Sequence, residues 1–152
     1  MFGVPQLKVG HVMNKNVVSI DSEESVKDAA GKMAQHGIGS LVVTKEDEPV
    51  GIITETDLLS RVLAMGTSAE SKLRTVMSTP LICGYPDMDL VKAVKLMPRK
   101  GIKKLPIVNV GRLVGMLTIT DIIAAHPCLR EVVQEELEGK TQRRFMKRLG
   151  KK

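Results

Sequence analysis

Two short motifs carry groups capable of chemistry: Thr54 stands three residues before Asp57, and Thr118 stands three residues before Asp121. A carboxylate can accept two hydroxyl hydrogen bonds at once, and its charge makes them stronger than neutral ones. If each threonine opens a helix, the first turn adds backbone N–H groups with a partial positive charge, which favour an anion. The same spacing is also a capping box, which stabilises a helix with no ligand near it. The motif alone is compatible with both. Lys103 and Lys104 add a pair of cations fifteen and fourteen positions upstream of Thr118.

Nothing resembling a catalytic constellation accompanies these groups. His11, His36 and His126 do not stand at metal-ligand spacings, and the chain contains no G-x-S-x-G, no P-loop and no C-x-x-C. Cys83 and Cys128 lie 45 positions apart, which suggests neither a zinc site nor a disulfide framework, and both are expected to be buried or inert thiols. The sequence therefore points to a binding protein and away from an enzyme.

The elements that would position the two motifs are themselves duplicated. A shift of 64 aligns residues 12–61 with 76–125 without a gap, and twelve positions are identical, among them Val12/Val76, Met13/Met77, Gly37/Gly101, Gly51/Gly115, Thr54/Thr118 and Asp57/Asp121. The apolar pattern repeats too: Val26, Ala29, Ala30 and Met33 fall at i, i+3, i+4 and i+7, as do Leu90, Ala93, Val94 and Met97. That periodicity predicts one amphipathic helix in each half. Ser25 with Asp28 forms a capping box for the first, Asp89 caps the second, and Gly37 and Gly101 stand where left-handed caps belong. Pro98, in place of Ala34, is expected to end the second of these helices early.

Short aliphatic runs follow at 41–44 and 50–53, and again at 105–108 and 114–117, separated by turn-rich segments at 45–49 and 109–113. They predict two antiparallel hairpins. A second helix then starts at Thr54 in one half and at Thr118 in the other, the latter stopped by Pro127. Each half reads strand, helix, strand, strand, helix, and one such half covers little more than one sheet face, so the two are expected to pack sheet to sheet. Gly51 and Gly115 remove side chains just before the caps, which suits either a close ligand or a packing contact.

This order, with Gly-Ile before the hairpin and Val-Gly-x-x-Thr-x-Thr-Asp after it, resembles the CBS domain family. The resemblance runs over 9–127 and is carried by Gly101-Ile102-Lys103-Lys104-Leu105-Pro106-Ile107-Val108, by Gly115-Met116-Leu117-Thr118-Ile119-Thr120-Asp121 and by the repeated Val-Met opening. It implies an α+β fold of two tandem β-α-β-β-α repeats, 9–66 and 72–127, in one pseudo-twofold module, with a C-terminal helix and basic tail over 128–152. It further implies a regulatory module that binds an adenine nucleotide or adenosine derivative (AMP, ADP, ATP or S-adenosylmethionine) in a cleft between the repeats. In that role Asp57 and Asp121 would accept the ribose hydroxyls, with Thr54 and Thr118 beside them. Lys103 and Lys104 would meet phosphate, where the first repeat has only Gly39 and Ser40, so the two clefts are expected to be unequal. Val17, Val18, Leu81, Ile82, Ile102 and Pro106 hold the family positions that line the base. No cofactor is required, the family pairing implies a homodimer through helical faces, and the signal would pass to a separate effector protein.

The remaining composition agrees with a soluble domain. The chain has 152 residues, 43% of them hydrophobic and 26% charged, with no Trp and nine Met, so the core must be aliphatic. No apolar run is long enough for a membrane span and the N-terminus is not a secretory signal, which predicts a cytoplasmic protein. Beyond Pro127, Leu129, Val132, Val133 and Leu137 predict a further amphipathic helix. Lys140, Arg143, Arg144, Lys147, Arg148, Lys151 and Lys152 then form a basic tail that could serve the alternative function, nucleic-acid binding by a scaffold protein.

Overall fold

The structure is a computed structural model that describes residues 6–150; the side chains of 140–145 and 148 lie outside the described part. The chain divides into two compact units. One holds residues 17–82 with Val110–Leu113, and the other holds residues up to Asn16, Cys83–Asn109 and those from Val114 onward.

In the 17–82 unit, β1 (Ser19–Asp21) is followed by α1 (Val26–His36), β2 (Ser40–Lys45) and β3 (Glu48–Thr54). The sheet order is β1-β2-β3, with β1 parallel and β3 antiparallel to β2. The Ser25 and Asp28 box closes both ways at the start of α1, and Gly37 ends the helix at φ 62. Its apolar stripe, Val26, Ala29 and Met33, joins Ile20, Leu41, Val43, Ile53, Val62, Leu73 and Val76 in one buried core. The hairpin turn is tighter than the sequence suggests. Only Glu46 and Asp47 form it, both at positive φ, as a two-residue turn of the primed type requires. Pro49 belongs to β3 at a register shift opposite Val43 and Thr44, where its missing N–H costs no ladder bond.

The helix after β3 is not uniform. It makes one α-turn, α2 (Glu55–Asp57), and continues as a π-helix over Leu58–Leu63.

The second unit repeats this plan. It contains α3 (Leu90–Lys100), β4 (Lys104–Asn109), β5 (Arg112–Thr118) from Val114 onward and α4 (Ile119–Ala125), and β4 and β5 pair as a hairpin. The position of β1 is held here by a single parallel bridge, Gly84 to Ile107. It is the 64-shifted twin of the Ile20 to Val43 pair. The early stop expected at Pro98 does not occur: α3 runs through it to Lys100, and Pro98 itself is buried. A proline in the last turn removes one N–H···O=C bond, and the Gly101 N–H, which reaches Met97 and Pro98 carbonyls from φ 70, closes the end regardless. Leu90, Ala93, Val94, Met97, Leu105, Ile107, Leu117 and Ile122 form this unit's interior.

Pro127 ends α4 as expected and opens a short 3-10 turn. The helix read from Leu129 onward is α5 (Arg130–Leu149). It lies against α3, with Val133 buried and an Arg99–Glu136 ion pair at 3.4 Å. The tail backbone thus extends this helix, while Lys151 and Lys152 fall outside the described residues. Among the described residues no helix is long and apolar enough to cross a membrane. The two cysteines are exposed and not buried. Cys83 precedes the Gly84 bridge and Cys128 is the middle residue of the 3-10 turn Pro127–Leu129.

Candidate functional site

Each unit receives its opening Val-Met segment from the other repeat. In the 17–82 unit, Leu73–Thr75 forms a 3-10 turn and Ser78 exchanges both backbone hydrogen bonds with Ile52, at 3.2 and 2.8 Å. Val9–His11 forms the matching turn in the second unit, where Asn14 exchanges both with Met116, at 2.9 and 2.9 Å. The glycines explain the register. A Cβ on Gly51 would stand 2.9 Å from Met77 Sδ and 2.9 Å from the Ser78 carbonyl oxygen, and one on Gly115 would stand 2.5 Å from Met13 Sδ. Of the two readings the sequence left open for these glycines, the packing contact is the one observed.

Next to these crossings sit the two threonine-aspartate motifs. In the first, Thr54 Oγ1 accepts from the Asp57 N–H at 3.2 Å, and Asp57 Oδ2 accepts from the Thr54 N–H at 3.0 Å. Asp57 is 8% exposed. Ser78 Oγ donates to its two oxygens, at 3.3 and 3.4 Å, and Arg61 Nε stands 3.7 Å from Oδ1. Arg61 Nη1 also donates to the Val76 and Met77 carbonyls, each at 3.0 Å. The first carboxylate is therefore fully engaged by its own unit.

The second motif differs. Thr118 Oγ1 accepts from the Asp121 N–H at 3.0 Å, but the Asp121 carboxylate has no partner among the described residues. It is half-buried. The residues at the positions of Arg61 and Ser78 are Ala125 and Asn14, and Asn14 Oδ1 is turned to the Asn16 N–H at 2.9 Å. Arg61 and Ser78 were missed in the sequence, although an aspartate four residues before an arginine on a helix is a readable pair.

The other candidates divide between the units. Val17, Val18, Leu81 and Ile82 are half-buried in the 17–82 unit, and Val18 packs against its core. In the second unit Ile102 is half-buried, Lys103 exposed, and Lys104 half-buried at the first position of β4. The hairpin brings that end of β4 beside the end of β5, where Thr118 stands. Pro106 is buried in β4, and its carbonyl accepts from the Gly84 N–H at 2.9 Å.

Comparison with known proteins yields consistent matches. The sequence profile of the CBS domain matches residues 9–64 and 73–127. A protein of Methanopyrus kandleri is 42% identical over 135 residues, covering 87% of this chain and 69% of that protein. The CBS domain-containing protein YhcV of Bacillus subtilis is 32% identical, over 75% of this chain and 81% of its own. Among solved structures, the CBS domain pair of protein MJ0100, in complex with 5'-methylthioadenosine and S-adenosyl-L-methionine, superposes with a TM-score of 0.74 at 25% identity. That match covers 83% of this chain and all of the other (100%).

Proposed function

Because the chain belongs to the CBS domain family, we propose that it is a regulatory module, without catalysis of its own, that binds an adenosine derivative and passes its ligand state to a partner protein. The observation that carries this reading is the Asp121 carboxylate, held at the start of α4 beside the Thr118 cap and free of any partner among the described residues. A carboxylate with no protein donor at a half-buried, water-accessible position is available to an incoming donor, and a ribose diol supplies two. Lys104, with Lys103 beside it, offers positive charge to a phosphate, and Ile102 offers apolar surface to the base, whereas Pro106 is buried within β4. The equivalent set, Asp57 and Thr54 with Val17, Val18, Leu81 and Ile82, is the second candidate seat.

The ligands considered are AMP, ADP, ATP and S-adenosylmethionine, the last supported by the complex of the MJ0100 pair. Self-association through a helical face belongs to the same proposal. Its support is an open apolar concavity of about 450 Å³ lined by Ala30, Met33, Ala34 and Leu58 among others, with Leu59 and Leu63 exposed on the same helical segment.

Thermal-shift titration with the four compounds tests the function. A compound that binds only the folded chain stabilises it by about 2.7 kcal/mol at about 100 times Kd, so the melting temperature should climb with concentration. The Asp121→Ala variant should lose that response. No shift with any of the four compounds would remove the adenosine reading.

A further inference from the structure

We propose that Arg61 closes the seat at Asp57, so that each chain takes one adenosine ligand, at Asp121, and not two. The inference rests on the function proposed above and concerns how many of its sites are open. The two motifs are identical in Thr-x-Thr-Asp and occupy equivalent positions after equivalent hairpins, so nothing in the motif itself makes one weaker. The difference lies in what faces each carboxylate. Asp57 receives the Thr54 N–H, the Ser78 hydroxyl and the Arg61 guanidinium, and is 8% exposed. Asp121 receives none of their counterparts: Ala125 and Asn14 replace Arg61 and Ser78, and its carboxylate makes no hydrogen bond to the Thr118 N–H.

To bind a diol at Asp57, a ligand would have to displace the Ser78 hydroxyl and push Arg61 off the carboxylate. That guanidinium is also held by two main-chain carbonyls, those of Val76 and Met77, both at 3.0 Å. Displacing it would leave those acceptors to water and the ion pair broken, a cost that binding at Asp121 does not carry. Arg61 is accordingly a specificity-determining residue that acts by occupying a site: it does with its own side chain what a ligand would do at Asp121. The alanine at position 125 is what leaves the second seat open.

Calorimetric titration of the full chain with AMP, ADP, ATP and S-adenosylmethionine tests this through stoichiometry. The wild-type chain should take one equivalent of whichever probe binds, and Asp121→Ala should abolish it. Arg61→Ala should raise the count to two, and Arg61→Ala combined with Asp121→Ala should restore a single, weaker equivalent. Arg61→Met, which keeps the aliphatic stem, guards against a folding defect and should behave as Arg61→Ala does. Two equivalents in the wild-type chain, or one in both folded Arg61 variants, would overturn the inference and leave the adenosine reading standing. No heat from any probe in either wild-type or variant chain would defeat both.

Discussion

Gly51 and Gly115 look interchangeable in the sequence, yet their surroundings give them different tolerances. A methyl group on Gly115 meets Met13 at 2.5 Å and the Asn14 carbonyl at 3.2 Å, and the thioether can swing away. One on Gly51 meets the Ser78 carbonyl at 2.9 Å, an atom fixed by the paired hydrogen bonds to Ile52. Overpacking of this kind costs about 1–3 kcal/mol. Gly51→Ala should fall at the upper end and Gly115→Ala at the lower, as measured by urea unfolding of the two variants. The contrast extends to the acids. Both threonine caps were legible, because Thr-x-x-Asp is a local pattern, although only Thr54 and Asp57 close the box both ways. Which carboxylate was free was not, because Ser78 reaches Asp57 across 21 positions and only folding brings them together. Glu23 illustrates the same limit: a hydrogen bond from Lys72 holds its carboxyl below the ordinary range, with the charges of Lys72, Arg74 and Lys45 adding to this and burial opposing it. None of the first two partners is near it in sequence.

Helices and hairpins followed the periodicity closely, since burial of one face is what selects both the pattern and the element. Departures lie where a residue's position in its element outweighs its intrinsic preference. Pro98 reads as a breaker, but a last-turn proline forfeits one bond and still offers apolar surface to the interior. The strand before α3 is reduced to the Gly84 bridge, and the π-helix at Leu58–Leu63 has no signature in apolar spacing. The turns are a further case. Val110, twin of Glu46, takes φ 50 while 92% exposed. A β-branched residue in that region is strained by roughly 1–2 kcal/mol, whereas asparagine before glycine is favoured there. Val110→Asn should therefore stabilise the chain by about 1 kcal/mol, read from the shift in urea midpoint.

Considered over the full chain, the repeat seen in sequence and the compact unit seen in space are out of phase. The 17–82 unit contains Leu73, Val76 and Met77, which belong to the start of the second copy, and lacks Val9 to Met13, which belong to the start of the first. A fragment spanning 17–82 should accordingly unfold cooperatively in urea with helical circular dichroism, while one spanning 9–66 should show a broad, weak transition. Equal behaviour of the two would argue that the Val-Met segments contribute little.

The crossing of these segments also bears on a copy taken alone. Each glycine saddle is filled by a methionine encoded in the other copy, so a lone copy with this connectivity has no rider of its own. Completing such a copy takes a methionine from a second molecule, which the tandem arrangement supplies within one chain.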